Sequence, residues 1–117
     1  MADDSKRFIP PDKQRRQSAR LKTQSQGLFK MKNSTSWEQC TILDVGIGGL
    51  YIQGSHSFYV GDKVDVKFSL QDKFLTLEIV ITNVQGKKAG GSFANVPENT
   101  VNYIREVLHS AYFDSTK

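Results

Sequence analysis

A chain of 117 residues with 38% apolar content and sixteen Lys/Arg against twelve Asp/Glu is about one domain, long enough to bury a core and too apolar to be disordered throughout. Its net charge of +4 is uneven: residues 1–32 hold nine Lys/Arg against three Asp, a net of +6, and the remainder comes to −2. A mildly acidic globule with a basic N-terminal segment suits a small anionic ligand, or a local patch of nucleic acid or membrane, better than a protein basic all over would.

Residues 1–12 contain Pro10-Pro11, which favour extended chain, and read as a flexible tail. Residues 13–22 are basic and polar with little apolar periodicity, an exposed arm that opens a single domain running over 13–117. Leu28 to Met31 is a short candidate strand, followed by the polar turn Asn33-Ser34-Thr35-Ser36. Trp37 to Val45 reads as a longer strand. Its single cysteine, Cys40, has no partner for an internal disulfide and reads as a small core residue.

The stretch Leu43-Asp44-Val45-Gly46-Ile47-Gly48-Gly49-Leu50-Tyr51-Ile52 then puts three glycines between two apolar half-strands. Such a turn reverses tightly, since glycine tolerates φ > 0, and it lets a flat ligand come close. Leu50 to Gln53 is the next strand, and Gly61-Asp62 a second turn. From Val64 to Leu70 apolar and polar residues alternate without exception. Phe74 to Val84 is the longest strand, with Leu75, Leu77, Ile79 and Ile81 on one face. A Gln85-Gly86 turn leads to a last strand over Ala89–Ala94, where Gly90-Gly91 marks a bulge or a close backbone approach. Six strands at this spacing predict an antiparallel barrel or sandwich. Beyond Pro97 the period becomes helical, and Val101, Ile104, Leu108, Ala111 and Tyr112 predict one amphipathic helix over about 98–112 across an open end of the sheet.

Catalysis has no support in the pattern. His56 and His109 lie in a Ser-rich loop and near a helix end, no His/Cys/Asp/Glu grouping has metal-ligand spacing, and no serine has a nucleophile-elbow context. A dinucleotide fingerprint fails as well: G-x-G-x-x-G from Gly46 would need glycine where Tyr51 stands, and a strand follows where a helix is required. The expectation is a non-enzymatic protein without cofactor or metal. Lacking an apolar run of about 18 residues and a signal-peptide pattern, it is expected in the cytoplasm with no membrane insertion.

The arginines offer a ligand chemistry, because guanidinium groups are rigid forks that bond guanine bidentately, stack on purines and pair with phosphates. Arg16-x-x-x-Arg20, then Asp44-x-Gly46-x-x-Gly49 after a strand, then alternating strands, Gly90-Gly91-Ser92-Phe93 and a terminal helix together resemble the PilZ domain, the bacterial cyclic di-GMP receptor module. The likeness covers roughly residues 13–113. It implies a six-stranded antiparallel β-barrel with a flanking helix and the binding pattern R-x-x-x-R plus [D/N]-x-S-x-x-G. By resemblance, Arg16 and Arg20 bind guanine and phosphate, Asp44 accepts from a guanine N1/N2 edge, and Gly49 lets the ligand approach. Arg15 matches members in which a basic residue there favours an intercalated ligand dimer. Gly46 departs from the pattern, standing where the family usually has serine.

The resemblance implies a receptor or adaptor that takes cyclic di-GMP, orders its basic arm and signals to a protein partner in motility or biofilm regulation. Two alternatives accompany it. One is a degenerate PilZ module that binds no nucleotide and serves in protein–protein interaction. The other is a small barrel holding single-stranded nucleic acid through Phe29, Trp37, Tyr51, Phe58 and Tyr59, which the acidic globule and scattered aromatics disfavour.

Overall fold

A computed structural model of the chain describes residues 20–114. Six antiparallel strands run in chain order: β1 Arg20–Met31, β2 Glu38–Gly46, β3 Gly49–Gln53, β4 Lys63–Leu70, β5 Lys73–Gln85 and β6 Lys88–Ala94. They close into a barrel with the spatial order β1-β2-β3-β6-β5-β4, β1 returning to pair with β4. Helix α1, Glu98–Asp114, follows. The expected barrel with one terminal helix is the observed architecture.

The core is what the alternation demands. Val64, Val66, Phe68 and Leu70 of β4 and Leu75, Leu77, Ile79 and Ile81 of β5 all point inward and are buried. Phe29, Ile42, Val45, Leu50 and Ile52 complete the wall from the other strands. The helix adds Ile104, Val107 and Leu108 to the same core, and the Tyr103 hydroxyl donates to the Leu70 carbonyl at 2.8 Å, which ties α1 to the β4–β5 turn. Cys40 belongs to this interior, and burial pushes its thiol up to about 11. It is therefore an uncharged core side chain.

One boundary differs substantially. β1 begins at Arg20, eight residues before the expected start at Leu28. Its inward positions between Arg20 and Phe29 are Leu21, Thr23, Ser25 and Gly27, all only partly buried, so almost no apolar signal marks the strand. Hydrogen bonding holds it instead: the Thr23 hydroxyl donates to the Ile42 carbonyl, and the ladder pairs Arg20 with Gly46, Leu21 with Val45 and Lys22 with Asp44. The last three residues of the basic arm thus lie in the barrel wall. Arg15 and Arg16 fall outside the described residues.

Three bulges shape the wall. In β1 the register shifts between Lys22 and Ser25, with Gln24 at φ +54°. In β2 it shifts between Ile42 and Asp44, and in β5 between Ile81 and Asn83. An extra residue reverses the face of everything that follows it. The second and third of these bulges position the site.

Candidate functional site

Period-2 alternation through the buried Cys40 and Ile42 would send residue 44 into the core. The extra residue Leu43 prevents this, so Val45 takes the inward place and Asp44 turns to the outer face. Asp44 is nevertheless covered: at 8% exposure it is the one buried charged side chain among the described residues. A buried carboxylate needs a partner, because its desolvation is otherwise uncompensated. Arg20 supplies it, with Nη1 donating to Asp44 Oδ1 at 2.7 Å. Residues 24 apart in sequence meet because the β1–β2 register lays the start of one strand over the end of the other.

Gly46 makes this contact possible. A Cβ there would lie 2.9 Å from Arg20 Nη1 and 3.1 Å from Cζ, so the guanidinium occupies the space of the missing side chain. Gly49 is bare for another reason. A Cβ there would come within 2.0 Å of the Gly91 carbonyl oxygen, so β3 and β6 pair at this point only because residue 49 has no side chain. None of Gly46, Gly48 and Gly49 has positive φ. The expectation of a left-handed turn is corrected: these glycines serve close approach, and the reversal itself needs none of them.

The pair stands at the mouth of a cavity of about 290 Å³. Arg20 and the β2–β3 turn, Gly46 to Gly49, form one side, and Thr82, Asn83, Gly90, Gly91 and Ser92 the other. The turn is pinned to the far wall by the Phe93 amide, which donates to the Gly48 carbonyl at 2.9 Å. The result is a shallow polar basin with an arginine fork on its rim and a glycine floor, suited to a flat anionic molecule. Sequence reasoning brought Arg20, Asp44, Gly46 and Gly49 together correctly as a group. It missed the far wall, for which the only available signal was the Gly90-Gly91 pair.

A family model described as PilZ domain matches residues 14–110. The chain belongs to the PilZ domain family. PilZ domains are non-catalytic receptor modules. Among solved structures it is similar to the PilZ domain of CeSA from a cellulose-synthesizing bacterium, at 11% identity and a TM-score of 0.58, over 86% of this chain and 100% of that one. It is also similar to the Borreliella burgdorferi PlzA protein in complex with c-di-GMP, at 15% identity and a TM-score of 0.53, over 86% of this chain and 38% of PlzA. The chain therefore corresponds to less than half of PlzA, and at these identities the likeness is one of fold. No curated protein matches the chain.

The remaining aromatics and histidine have structural settings. Phe29 and Phe58 are sealed in the core and pack edge to face at 5.2 Å, which removes two of the five platforms a single-stranded nucleic acid would need. His56 stands edge-on to Phe29 at 5.4 Å, with Nε2 3.6 Å from Glu38. Among the described residues no helix is long and apolar enough to cross a membrane.

Proposed function

We propose that this PilZ domain is a cytoplasmic receptor for cyclic di-GMP that signals to a protein partner, with an output in motility or biofilm regulation. Arg20 and Arg16 bind guanine and phosphate, with Arg15 beside them for a second, intercalated ligand. Asp44 accepts from the guanine N1/N2 edge, and Gly46 and Gly49 keep the floor bare. The observation that carries this reading is the Arg20–Asp44 pair at the rim of the glycine-floored cavity. The complex of PlzA with c-di-GMP supports the ligand by family likeness. Titration calorimetry with cyclic di-GMP, with GTP and a short oligonucleotide as controls, tests it.

Ligand binding fixes the basic arm on the cavity and creates a new surface for the partner. Because Arg20 to Lys22 are already laddered with β2, the added protection against amide exchange is expected in residues 12–19, upstream of the strand. Equal exchange with and without cyclic di-GMP contradicts the ordering step, even where binding is measured.

A second reading, a degenerate module that binds protein alone, is favoured by one feature: the Gly46 space is filled by the chain's own guanidinium. Gly46→Ser separates the two. The backbone there is not left-handed, and the neighbour that must yield is the far end of a flexible side chain. We expect an unchanged melting temperature and binding tighter by about two- to tenfold, the worth of one neutral hydrogen bond. Weaker binding means that the Arg20 contact through Gly46 is itself part of the ligand site.

A further inference from the structure

Asp44 has a counterpart on the opposite wall. The alternation that buries Leu75, Leu77, Ile79 and Ile81 would also bury residue 83, yet the β5 bulge intervenes, so that Thr82 and Asn83 are both exposed and Val84 turns back toward the core. Two bulges on two strands therefore do the same thing. Each takes a polar residue destined for the interior and turns it onto the outer face, and both residues fall in one cross-strand row. That row reads Lys22, Asp44, Tyr51, Gly90, Asn83 across β1, β2, β3, β6 and β5.

The row is built to hold Asn83 in place. A Cβ on Gly90 would lie 2.9 Å from Asn83 Nδ2, 3.1 Å from Oδ1 and 3.3 Å from Cγ. Three nearly equal distances mean that the carboxamide lies face-on across the bare glycine. The Thr82 hydroxyl donates to the Gly90 carbonyl at 3.3 Å, which fixes the bulge beside it. Both residues line the cavity. An amide offers a donor and an acceptor on one rigid plane and carries no charge, so it can read a base edge without drawing phosphate.

The geometry points to Asn83 as a further ligand-binding residue, which reads the second base of the cyclic dinucleotide. Asp44 and Asn83 are three strand spacings apart, ~14 Å, so one ligand base engages the Asp44 end while the other reaches the β5 wall. There Asn83 Nδ2 donates to the O6/N7 acceptor edge, complementing the N1/N2 donor edge that Asp44 takes. This assignment rests on the proposed cyclic di-GMP function.

The test is titration of cyclic di-GMP into wild type, Asn83→Ala, Asn83→Asp and Arg20→Ala, with melting temperatures on the same samples. We expect Asn83→Ala to bind about fivefold more weakly and Asn83→Asp, an isosteric anion without the donor, at least about tenfold more weakly, both at wild-type melting temperature. The Asn83→Ala ratio should hold between low and high salt while the Arg20→Ala ratio shrinks, since only the latter contact is charged. Wild-type affinity in Asn83→Ala alongside a loss in Arg20→Ala overturns the assignment and leaves the receptor reading standing. A loss accompanied by a lower melting temperature also overturns it, assigning Asn83 to holding the bulge. Absence of binding in wild type overturns both the assignment and the receptor reading.

Discussion

Gly49→Ala should be the most damaging single substitution in the barrel wall. The added Cβ would stand 2.0 Å from the Gly91 carbonyl oxygen, 3.0 Å from the Gly91 carbonyl carbon and 3.2 Å from the Ser92 Cα. All three are backbone atoms of the neighbouring strand, so no rotamer change relieves the overlap. β3 must move off β6, and the five-residue pairing from Gly49–Ser92 to Gln53–Lys88 is disrupted at its first rung. Overpacking of this kind costs on the order of 3 kcal/mol, which for a domain of this size lowers the melting temperature by roughly 10 °C or more. Gly48→Ala is the control, since a Cβ there meets nothing within 4 Å and the backbone is not left-handed. It should melt with wild type. A Gly49→Ala protein that melts within a degree or two of wild type contradicts the close-packed β3–β6 seam.

Arg20→Ala is expected to separate binding from stability in the opposite sense. The Arg20 side chain is half exposed, at 51%, and ion pairs so placed contribute roughly 0–1 kcal/mol to folding, so the barrel should melt only slightly lower. Removing a bidentate guanidinium from a guanine contact costs about 1–3 kcal/mol, so cyclic di-GMP affinity should fall by roughly tenfold or more. Arg16→Ala is expected to lose as much. Calorimetry and thermal melts on the same samples check both halves, and unchanged affinity in the two arginine variants overturns the site assignment.

Legibility in the sequence followed the apolar signal. β4 and β5 were readable to within a residue because their inward positions are aliphatic or aromatic without a break from Val64 to Leu70 and from Leu75 to Ile81. The first eight residues of β1 were not, because Thr23, Ser25 and Gly27 alternate with Lys22, Gln24 and Gln26 and neither face looks buried. The arm's last residues therefore read as free chain although they are laddered to β2.

The site was legible as a spacing and not as a geometry. Arg20 and Asp44 were grouped by motif, but the reason they meet, antiparallel register plus the Leu43 bulge, leaves no composition mark. Gly49 was assigned to ligand approach, whereas the Gly91 carbonyl already requires a glycine there. Asn83 was passed over because strict alternation hides it on the buried face, and only the bulge opposite Gly90 brings it out.

The central claim is that the basin between the β2–β3 turn and the β5–β6 wall takes cyclic di-GMP. Isothermal titration of the intact chain with cyclic di-GMP tests it most directly. The account predicts saturable binding at micromolar concentration or tighter, with no heat from GTP or a short oligonucleotide. No heat from cyclic di-GMP at high protein concentration would contradict it and leave the degenerate interaction module as the reading of this domain.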